Sequence, residues 1–429
     1  MDNCYPPKLP FEGKNEGKYF NQDSNHMITN VQNPQDVPEL YNPKLCIQKL
    51  LMDLIPTILI ENPNINHHEQ YENFYQKCKK YLTYFETSTS IMPPTLKITY
   101  SDFSKKVGAI HYVNTLNINN VDQSKVELYQ NIEDSRYVLK QNWFKFDLTT
   151  KSPDIIQDLE LFISDKFNEY KILQIFSASP NSVNPIDFHF VYLPSLKLFV
   201  TELILPFEGE PIQKRFPIKN STLVYEFFSQ IADILKCLEE FRIEHNDIKP
   251  SNILVNGISG VPILKLIGFE LSGYKSSSYN DEFSHSLRGY TDAYASPEIL
   301  KIFHSYSKNN ALFHFNPSSC QIYSVGMTFL TMIGFFPKML PAREIDKLKV
   351  SESEYSKFLE LIKVYDNEIT DPLMKNILLL ITFCVSYDPK YRLSTKELSI
   401  ILKGLDKKEC NQIRQQYAAI ISNRPNLHQ

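Results

Sequence analysis

Glycine is scarce in this sequence: 12 glycines occur among 429 residues, where average usage would give about 30. Between Gly108 and Glu208 the chain contains no further glycine. A loop needs glycines if its backbone amides are to approach phosphate oxygens closely and without hindrance. The scarcity therefore excludes a glycine-rich phosphate-binding loop from that stretch.

Paired cysteine motifs are also absent. The seven cysteines form no C-x-x-C pair, the closest two in sequence are Cys384 and Cys410, and the ten histidines are scattered. Structural zinc sites and disulfide frameworks both require recognisable spacings of these residues. Neither kind of site is predicted.

The chain has no excess of basic charge and no long apolar run. Its net charge is −4, so no general positive field attracts nucleic acid or an anionic membrane. The longest apolar run, Ile322 to Pro337, is shorter than the roughly 20 residues of a membrane-spanning helix. The first residues, Met1 to Pro7, lack the basic and apolar regions of a secretory signal. We expect an intracellular protein, cytoplasmic by default, that binds no nucleic acid and has no membrane span.

An N-terminal extension of residues 1–95 differs in pattern from the rest. Residues 1–40 are predicted to form an irregular arm because they are rich in Asn, Pro and charged residues. Apolar residues at helical spacing in 43–60 and 66–86 predict two amphipathic helices. We interpret this pair as a helical hairpin packed on the main domain.

The remaining chain changes from strand-like to helical patterns. Residues 96–203 contain short apolar or alternating runs that predict strands, interrupted by one helix. Residues 204–405 are predicted to be mostly helical, and residues 406–429 a helical tail. A strand-rich lobe followed by a helical lobe is therefore expected.

The most informative segment reads H-N-D-I-K-P-S-N, from His245 to Asn252, and is followed by an apolar run. It resembles the H-R-D-L-x-x-x-N catalytic loop of protein kinases. The resemblance implies that Asp247 accepts the proton of an attacking hydroxyl and that Lys249 neutralises charge on the transferred phosphoryl group. It also implies that Asn252 ligates a metal ion on the nucleotide.

Upstream residues extend the resemblance. The run Y-V-L-K that ends at Lys140 is similar to the V-A-I-K strand, whose lysine pairs with the nucleotide phosphates. Glu160, with Asp158 as its rival, is the expected ion-pair partner of that lysine from the following helix. By the same resemblance Thr201 takes the gatekeeper position, and the backbone at Glu202 to Ile204 would contact an adenine.

Three structural motifs of kinases follow the catalytic loop. The segment S-P-E that ends at Glu298 resembles the end of the activation segment. Glu298 is expected to pair with Arg392, which ends the run D-P-K-Y-R, similar to the D-P-x-x-R motif of kinases. Gly326 lies in a segment similar to D-I-Y-S-L-G, where the aspartate is replaced by Gln321. We expect this replacement to weaken an anchor of the catalytic-loop backbone.

Two departures affect the chemistry. The glycine positions of the kinase phosphate loop fall on Asn119, Val121 and Ser124, and the D-F-G motif is replaced by Gly268, Phe269 and Glu270. Gly268 offers no oxygen to a metal ion, and the side chain of Glu270 is expected to point away from that position. No magnesium site is predicted, because Asn252 alone remains of the usual metal ligands.

The resemblance implies an α+β, protein kinase-like fold of two lobes, a small antiparallel β lobe and a larger helical lobe. The first functional hypothesis is a catalytically impaired pseudokinase that acts as a scaffold or allosteric partner of other proteins, through its N-terminal extension and helical lobe. Weak, metal-independent ATP binding through Lys140 is compatible with it. The alternatives are an active, divergent Ser/Thr protein kinase and a structural subunit of a larger assembly.

Overall fold

A computed structural model describes residues 110–119, 124–145, 153–193, 198–257, 262–274, 290–306, 315–340, 344–349 and 351–424. The predicted helices of the N-terminal extension and the predicted strand near residue 98 lie outside these ranges. Within them, a five-stranded sheet with one long helix precedes a mostly helical region.

The sheet is antiparallel throughout, with strand order β1-β2-β3-β5-β4. Its strands are β1 (Ile110–Asn119), β2 (Ser124–Asn131), β3 (Arg136–Lys145), β4 (Asp187–Leu193) and β5 (Leu198–Pro206). Lys140 of β3 lies opposite Val126 on β2 and Leu203 on β5. Residues opposite one another share a face of the sheet, so this register decides which side chains surround Lys140.

Helix α1 (Pro153–Phe176) connects β3 to β4. Near its C-terminal end, Ile172, Leu173 and Phe176 are buried in the main core. The ring of Phe176 packs on that of Phe269, with 5.6 Å between the centroids. One face of α1 is therefore held against the segment that follows the catalytic loop.

The described helices of the helical region are α2 (Ser221–Glu240), α3 (Pro297–Tyr306), α4 (Pro317–Met332), α5 (Phe335–Lys338), α6 (Ile345–Leu348), α7 (Glu352–Glu368), α8 (Pro372–Cys384), α9 (Thr395–Leu402) and α10 (Cys410–Ser422). Helices α2 and α4 both pack in the main core. Asn220 caps α2 by accepting a hydrogen bond from the backbone N–H of Leu223 at 3.0 Å. Phe228 of α2 stacks on Phe329 of α4 with 4.1 Å between the ring centroids.

Short strands and 3₁₀ turns connect these helices and carry the candidate site. The strands are β6 (Glu210–Pro211), β7 (Ile243–Glu244), β8 (Ile253–Asn256), β9 (Ile263–Leu266) and β10 (Gly273–Tyr274). The 3₁₀ turns span Ile212–Arg215, Pro250–Asn252, Phe269–Leu271, Pro389–Tyr391 and Leu405–Lys407. Because β7 pairs with β10, the catalytic-loop motif and the G-F-E segment are brought side by side.

The predicted α+β architecture of a sheet lobe followed by a helical lobe is confirmed. The expected boundary between residues 203 and 204 lies inside β5, which continues to Pro206. Across the described ranges, no helix combines the length and the apolar character needed to cross a bilayer.

Candidate active site

The catalytic-loop motif makes a tight turn between β7 and β8. Asn246 has a φ of +62°, a left-handed conformation that asparagine adopts more readily than most residues. Its side-chain amide donates a hydrogen bond to the carbonyl oxygen of Leu271 at 3.1 Å. The residue that replaces the family's arginine thus links the catalytic loop directly to the segment after Phe269.

Asp247 is the centre of the polar cluster. Its Oδ1 accepts a hydrogen bond from Thr291 Oγ1 at 2.5 Å, and its Oδ2 lies 2.7 Å from Lys249 Nζ. Asn252 Nδ2 donates to the same Oδ2 at 3.1 Å and to the carbonyl oxygen of Asp247 at 2.8 Å. The structure therefore brings together Asp247, Lys249 and Asn252, which the sequence pattern had grouped.

Thr291 completes this cluster, and sequence reasoning had not assigned it a role. Lys249 Nζ donates to Thr291 Oγ1 at 2.8 Å, so one hydroxyl bridges Lys249 and Asp247. A carboxylate and a lysine held side by side can accept a proton from a hydroxyl and balance negative charge next to it. The position of Thr291 at the start of the motif T-D-A-Y-A-S-P-E was the signal in the sequence for its place in the cluster.

The buried residue His245 anchors the start of the catalytic loop through its backbone and its ring. Its backbone N–H donates to Gln321 Oε1 at 2.9 Å, and its ring lies 4.6 Å from that of Phe269. Burial lowers the pKa of His245 to about 4, so the ring is neutral at physiological pH. The anchor keeps its geometry, because the amide oxygen of Gln321 accepts the hydrogen bond that a carboxylate would accept. An uncharged acceptor makes a weaker hydrogen bond than a carboxylate, so a weakened anchor stays a prediction.

Lys140 is at the centre of a second cluster, which is formed entirely of charged side chains. Its Nζ lies 3.2 and 2.9 Å from the two carboxylate oxygens of Glu169 on α1. It also forms an ion pair with Glu270 Oε1, while Glu270 Oε2 lies 2.7 Å from Lys166 Nζ. We call these two lysines and two glutamates the charge cluster.

Neighbouring charges in the cluster shift the pKa values of Lys140 and Glu270. Burial alone would lower the pKa of Lys140, but the carboxylates of Glu169 and Glu270 outweigh it and raise the pKa above its usual value. Burial would raise the pKa of Glu270, yet Lys140 and Lys166 hold it well below the usual value. Lys140 and Glu270 are therefore both charged over the physiological pH range.

The carboxylate from α1 that reaches Lys140 is Glu169, so the expected assignment to Glu160 or Asp158 is corrected. Position 160 lies nine residues earlier, which at about 100° per residue places it on the opposite side of the helix from position 169. The side chains of Glu160 and Asp158 lie outside the part of the structure that is described. A signal for Glu169 was present, because it precedes the buried residues Ile172 and Leu173 by about one helical turn.

Thr201 and Glu202 were expected near the end of a strand, as gatekeeper and adenine contact. Both lie within β5, where Glu202 pairs with Gln141 on β3 and with residue 189 on β4. Because the backbone there is paired on both sides, its polar groups are not available to an adenine. The chain leaves the sheet after Pro206, and the segment Phe207–Gly209 links the two lobes. Pro206 was a signal for this strand end.

Glu202 is a buried acid on the face of the sheet opposite Lys140, since neighbouring residues of a strand point to opposite faces. Its Oε1 accepts a hydrogen bond from Gln141 Nε2 at 2.7 Å. Burial raises the pKa of Glu202 from 4.5 to about 7. The folded state therefore binds this proton more tightly than the unfolded state, and the contribution of Glu202 to stability falls as the pH rises from 4.5 to 7.

Glu202→Gln is expected to stabilise the protein at pH 8 by about 2–3 kcal/mol, because glutamine removes the buried charge and keeps the shape. At pH 5 the variant and the wild type should differ little. Urea denaturation at both pH values measures this, with the exposed Glu360→Gln as the control. Equal stability of Glu202→Gln and wild type at pH 8 would contradict the assignment.

The metal position of the family is altered in shape as well as in chemistry. Gly268 has a φ of +80°, and a Cβ atom built on it would lie 2.6–2.7 Å from the side-chain amide of Asn252. The Asn252 amide thus fills the space beside position 268 while it donates to Asp247. Among the described residues, no group of three or more His, Cys, Asp or Glu side chains is arranged to hold a metal ion. The donor set does not fit the metal ions of a kinase nucleotide.

The hairpin between β1 and β2 falls where the phosphate loop was expected. Asn119 ends β1 opposite Ser124 at the start of β2. The turn itself, with Val121, lies outside the described residues. None of these three positions is glycine.

The helical lobe contains the predicted ion pair between Glu298 and Arg392. Arg392 Nη1 lies 2.5 Å from Glu298 Oε1, and its Nη2 donates to Oε2 at 2.8 Å. The Arg392 side chain is fully buried, and it also donates to the carbonyl oxygens of Ser386 and Tyr387. This bidentate pair ties the end of the activation segment to the turn before α9.

A two-lobed fold with these two clusters in the cleft defines a protein kinase domain. The family model for the protein kinase domain matches residues 155–400. The match covers more than half of the chain, and the chain belongs to this family. Protein kinase domains bind ATP as a class.

Similar proteins are Ser/Thr protein kinases. The serine/threonine-protein kinase dkf-2 of Caenorhabditis briggsae is 32% identical over 149 residues, which cover 34% of this chain and 11% of the relative. The serine/threonine-protein kinase NLK2 of Xenopus laevis is 30% identical over 207 residues, covering 46% and 41%. The serine/threonine-protein kinase ATG1 of Kluyveromyces marxianus is 26% identical over 200 residues, covering 42% and 21%. The matched region spans less than half the length of each of these relatives.

Proposed function

We propose that this chain is a catalytically impaired kinase-domain protein that acts as a scaffold or allosteric partner of other proteins. The observation that carries the proposal is the replacement of D-F-G by Gly268, Phe269 and Glu270. Position 268 supplies no side-chain oxygen for a divalent cation, and Lys140 is already paired with two glutamates.

The expected loss of activity is large. Phosphoryl transfer depends on positioning and on neutralising the charge that develops on the transferred group. Removing one such electrostatic stabiliser typically lowers the rate about 10²–10³-fold, or by about 3–4 kcal/mol. The loop glycines are missing as well, although losses within one functional unit do not simply add.

A second candidate function is an active, divergent Ser/Thr protein kinase. Its support is the complete cluster of Asp247, Lys249, Asn252 and Thr291, together with the similarity to Ser/Thr kinases. In that case Asn252 or Glu270 would have to hold a metal ion. Both carboxylate oxygens of Glu270 already face lysines, which argues against this arrangement.

Binding partners of the proposed scaffold are other proteins, contacted through the N-terminal extension and the helical lobe. The N-terminal extension lies outside the described residues, so this part of the proposal rests on the apolar spacing in 43–60 and 66–86. The same two segments would form the contact if the chain is a structural subunit of a larger assembly. We propose that nucleotide binding is weak and independent of metal.

A phosphotransfer assay tests the proposed function. The purified chain is incubated with labelled ATP, either Mg²⁺ or Mn²⁺, and generic protein substrates, beside an Asp247→Ala variant. We expect incorporation no higher than in Asp247→Ala. Robust transfer that disappears in Asp247→Ala would replace the scaffold proposal by the second candidate.

A further inference from the structure

Glu270 occupies an unusual position for a residue that follows the phenylalanine of this motif. Phe269 is buried between the rings of Phe176 and His245, whereas Glu270 extends towards α1 and β3. The left-handed Gly268 and the 3₁₀ turn from Phe269 to Leu271 turn these two side chains in different directions. The side chain that was expected to point away from position 268 contacts Lys140 and Lys166.

Glu270 and the residues that follow it contact both β3 and α1. Its Oε1 pairs with Lys140 on β3 and its Oε2 lies 2.7 Å from Lys166 on α1. Asn168 Nδ2, also on α1, donates to the carbonyl oxygen of Ser272 at 2.9 Å. The segment after Gly268 therefore contacts α1 at Lys166 and Asn168 and contacts β3 at Lys140, and none of these contacts requires a ligand.

Each side chain of the charge cluster has an oppositely charged residue type as its partner without a ligand. Two lysines face two glutamates, and their side chains are between 4% and 21% exposed. In the kinase family, the lysine of β3 pairs with nucleotide phosphates. A triphosphate placed at Lys140 would meet the Glu270 carboxylate, with no aspartate at 268 to hold a cation between the two anions. Like charges in a partly buried site repel strongly.

We propose that Glu270 is a built-in substitute for the nucleotide phosphates: it neutralises Lys140 and holds α1 in place, and it makes the cleft select against phosphate-bearing nucleotides. This inference deepens the proposed function and rests on it. Glu270 would then determine which ligands bind in the cleft, and an uncharged purine nucleoside would bind at least as tightly as ATP. Glu270 also makes the position of α1 independent of nucleotide.

Calorimetric titrations of ATP and adenosine in EDTA test the specificity. In the wild-type full chain, ATP should bind no more tightly than adenosine. In Glu270→Gln, the affinity for ATP should rise at least about tenfold, which corresponds to about 1.4 kcal/mol, while the affinity for adenosine stays the same. Glu270→Asp retains the charge and should remain poor in ATP binding, and the exposed Glu360→Gln should match the wild type.

Unchanged ATP affinity in Glu270→Gln, or an equal gain for adenosine, would overturn the inference. Hydrogen–deuterium exchange of the wild type gives a second test that needs no variant. The amides of α1 near Lys166 and Glu169 should be protected without nucleotide and unaffected by ATP. Free exchange of these amides until ATP is added would also overturn it. Phosphotransfer by the wild type would instead overturn the proposed function, so the two failures are distinguishable.

Discussion

Lys140→Met is expected to lower the free energy of unfolding by about 3–5 kcal/mol, because it removes one of the two cations of a buried network and leaves two carboxylates with a single lysine. Glu169 is 4% exposed and would keep no lysine at 2.9 Å. Glu270 would retain only Lys166. Two carboxylates would then face each other across the space left by the ammonium group. Urea denaturation of the purified full chain measures the loss.

The partner residues and an exposed lysine supply the controls. Adding Glu270→Gln to Lys140→Met removes one of the two opposing charges and should recover at least about 1 kcal/mol. Lys214→Met removes an exposed lysine whose partner Glu210 is also exposed, so its effect should stay below about 1 kcal/mol. A Lys140→Met protein as stable as the Lys214→Met protein would show that the charge cluster does not stabilise the fold.

Arg392→Met is expected to destabilise the domain by about 3–5 kcal/mol as well, for the same physical reason at a different place. The Arg392 side chain has no exposed surface and donates to Glu298 and to the backbone carbonyl oxygens of Ser319, Ser386 and Tyr387. Methionine fills part of the volume but leaves the carboxylate and these carbonyls without the donors that Arg392 provides. Thermal unfolding monitored by circular dichroism should show a clearly lower midpoint.

A double-mutant cycle separates the ion pair from the packing. Glu298→Gln combined with Arg392→Met should cost less than the sum of the two single changes, because the second change removes the charge that the first one left unpaired. The neighbouring Lys390 is 52% exposed, and Lys390→Met should change stability little. Additive effects of the Glu298 and Arg392 changes would contradict a coupled pair.

The sequence by itself determined the two-lobed fold and the catalytic cluster. Asp247, Lys249 and Asn252 lie within six residues of one another, and a short loop between two strands must bring them close together whatever the rest of the chain does. The pair of Glu298 and Arg392 could also be predicted, since both residues stand in motifs whose order matches the family. Local spacing and motif order were sufficient for these residues.

Only the tertiary structure decided the partners of Lys140. The rotation of α1 is determined by how its apolar face packs on Phe269 and the core, and this rotation selects Glu169 instead of Glu160. The end of β5 depends on pairing with its two neighbouring strands, and this places Glu202 inside the sheet. The direction of Glu270 follows from the left-handed backbone at Gly268. Each of these outcomes depends on contacts between residues far apart in the sequence, and residue spacing along one segment does not contain that information.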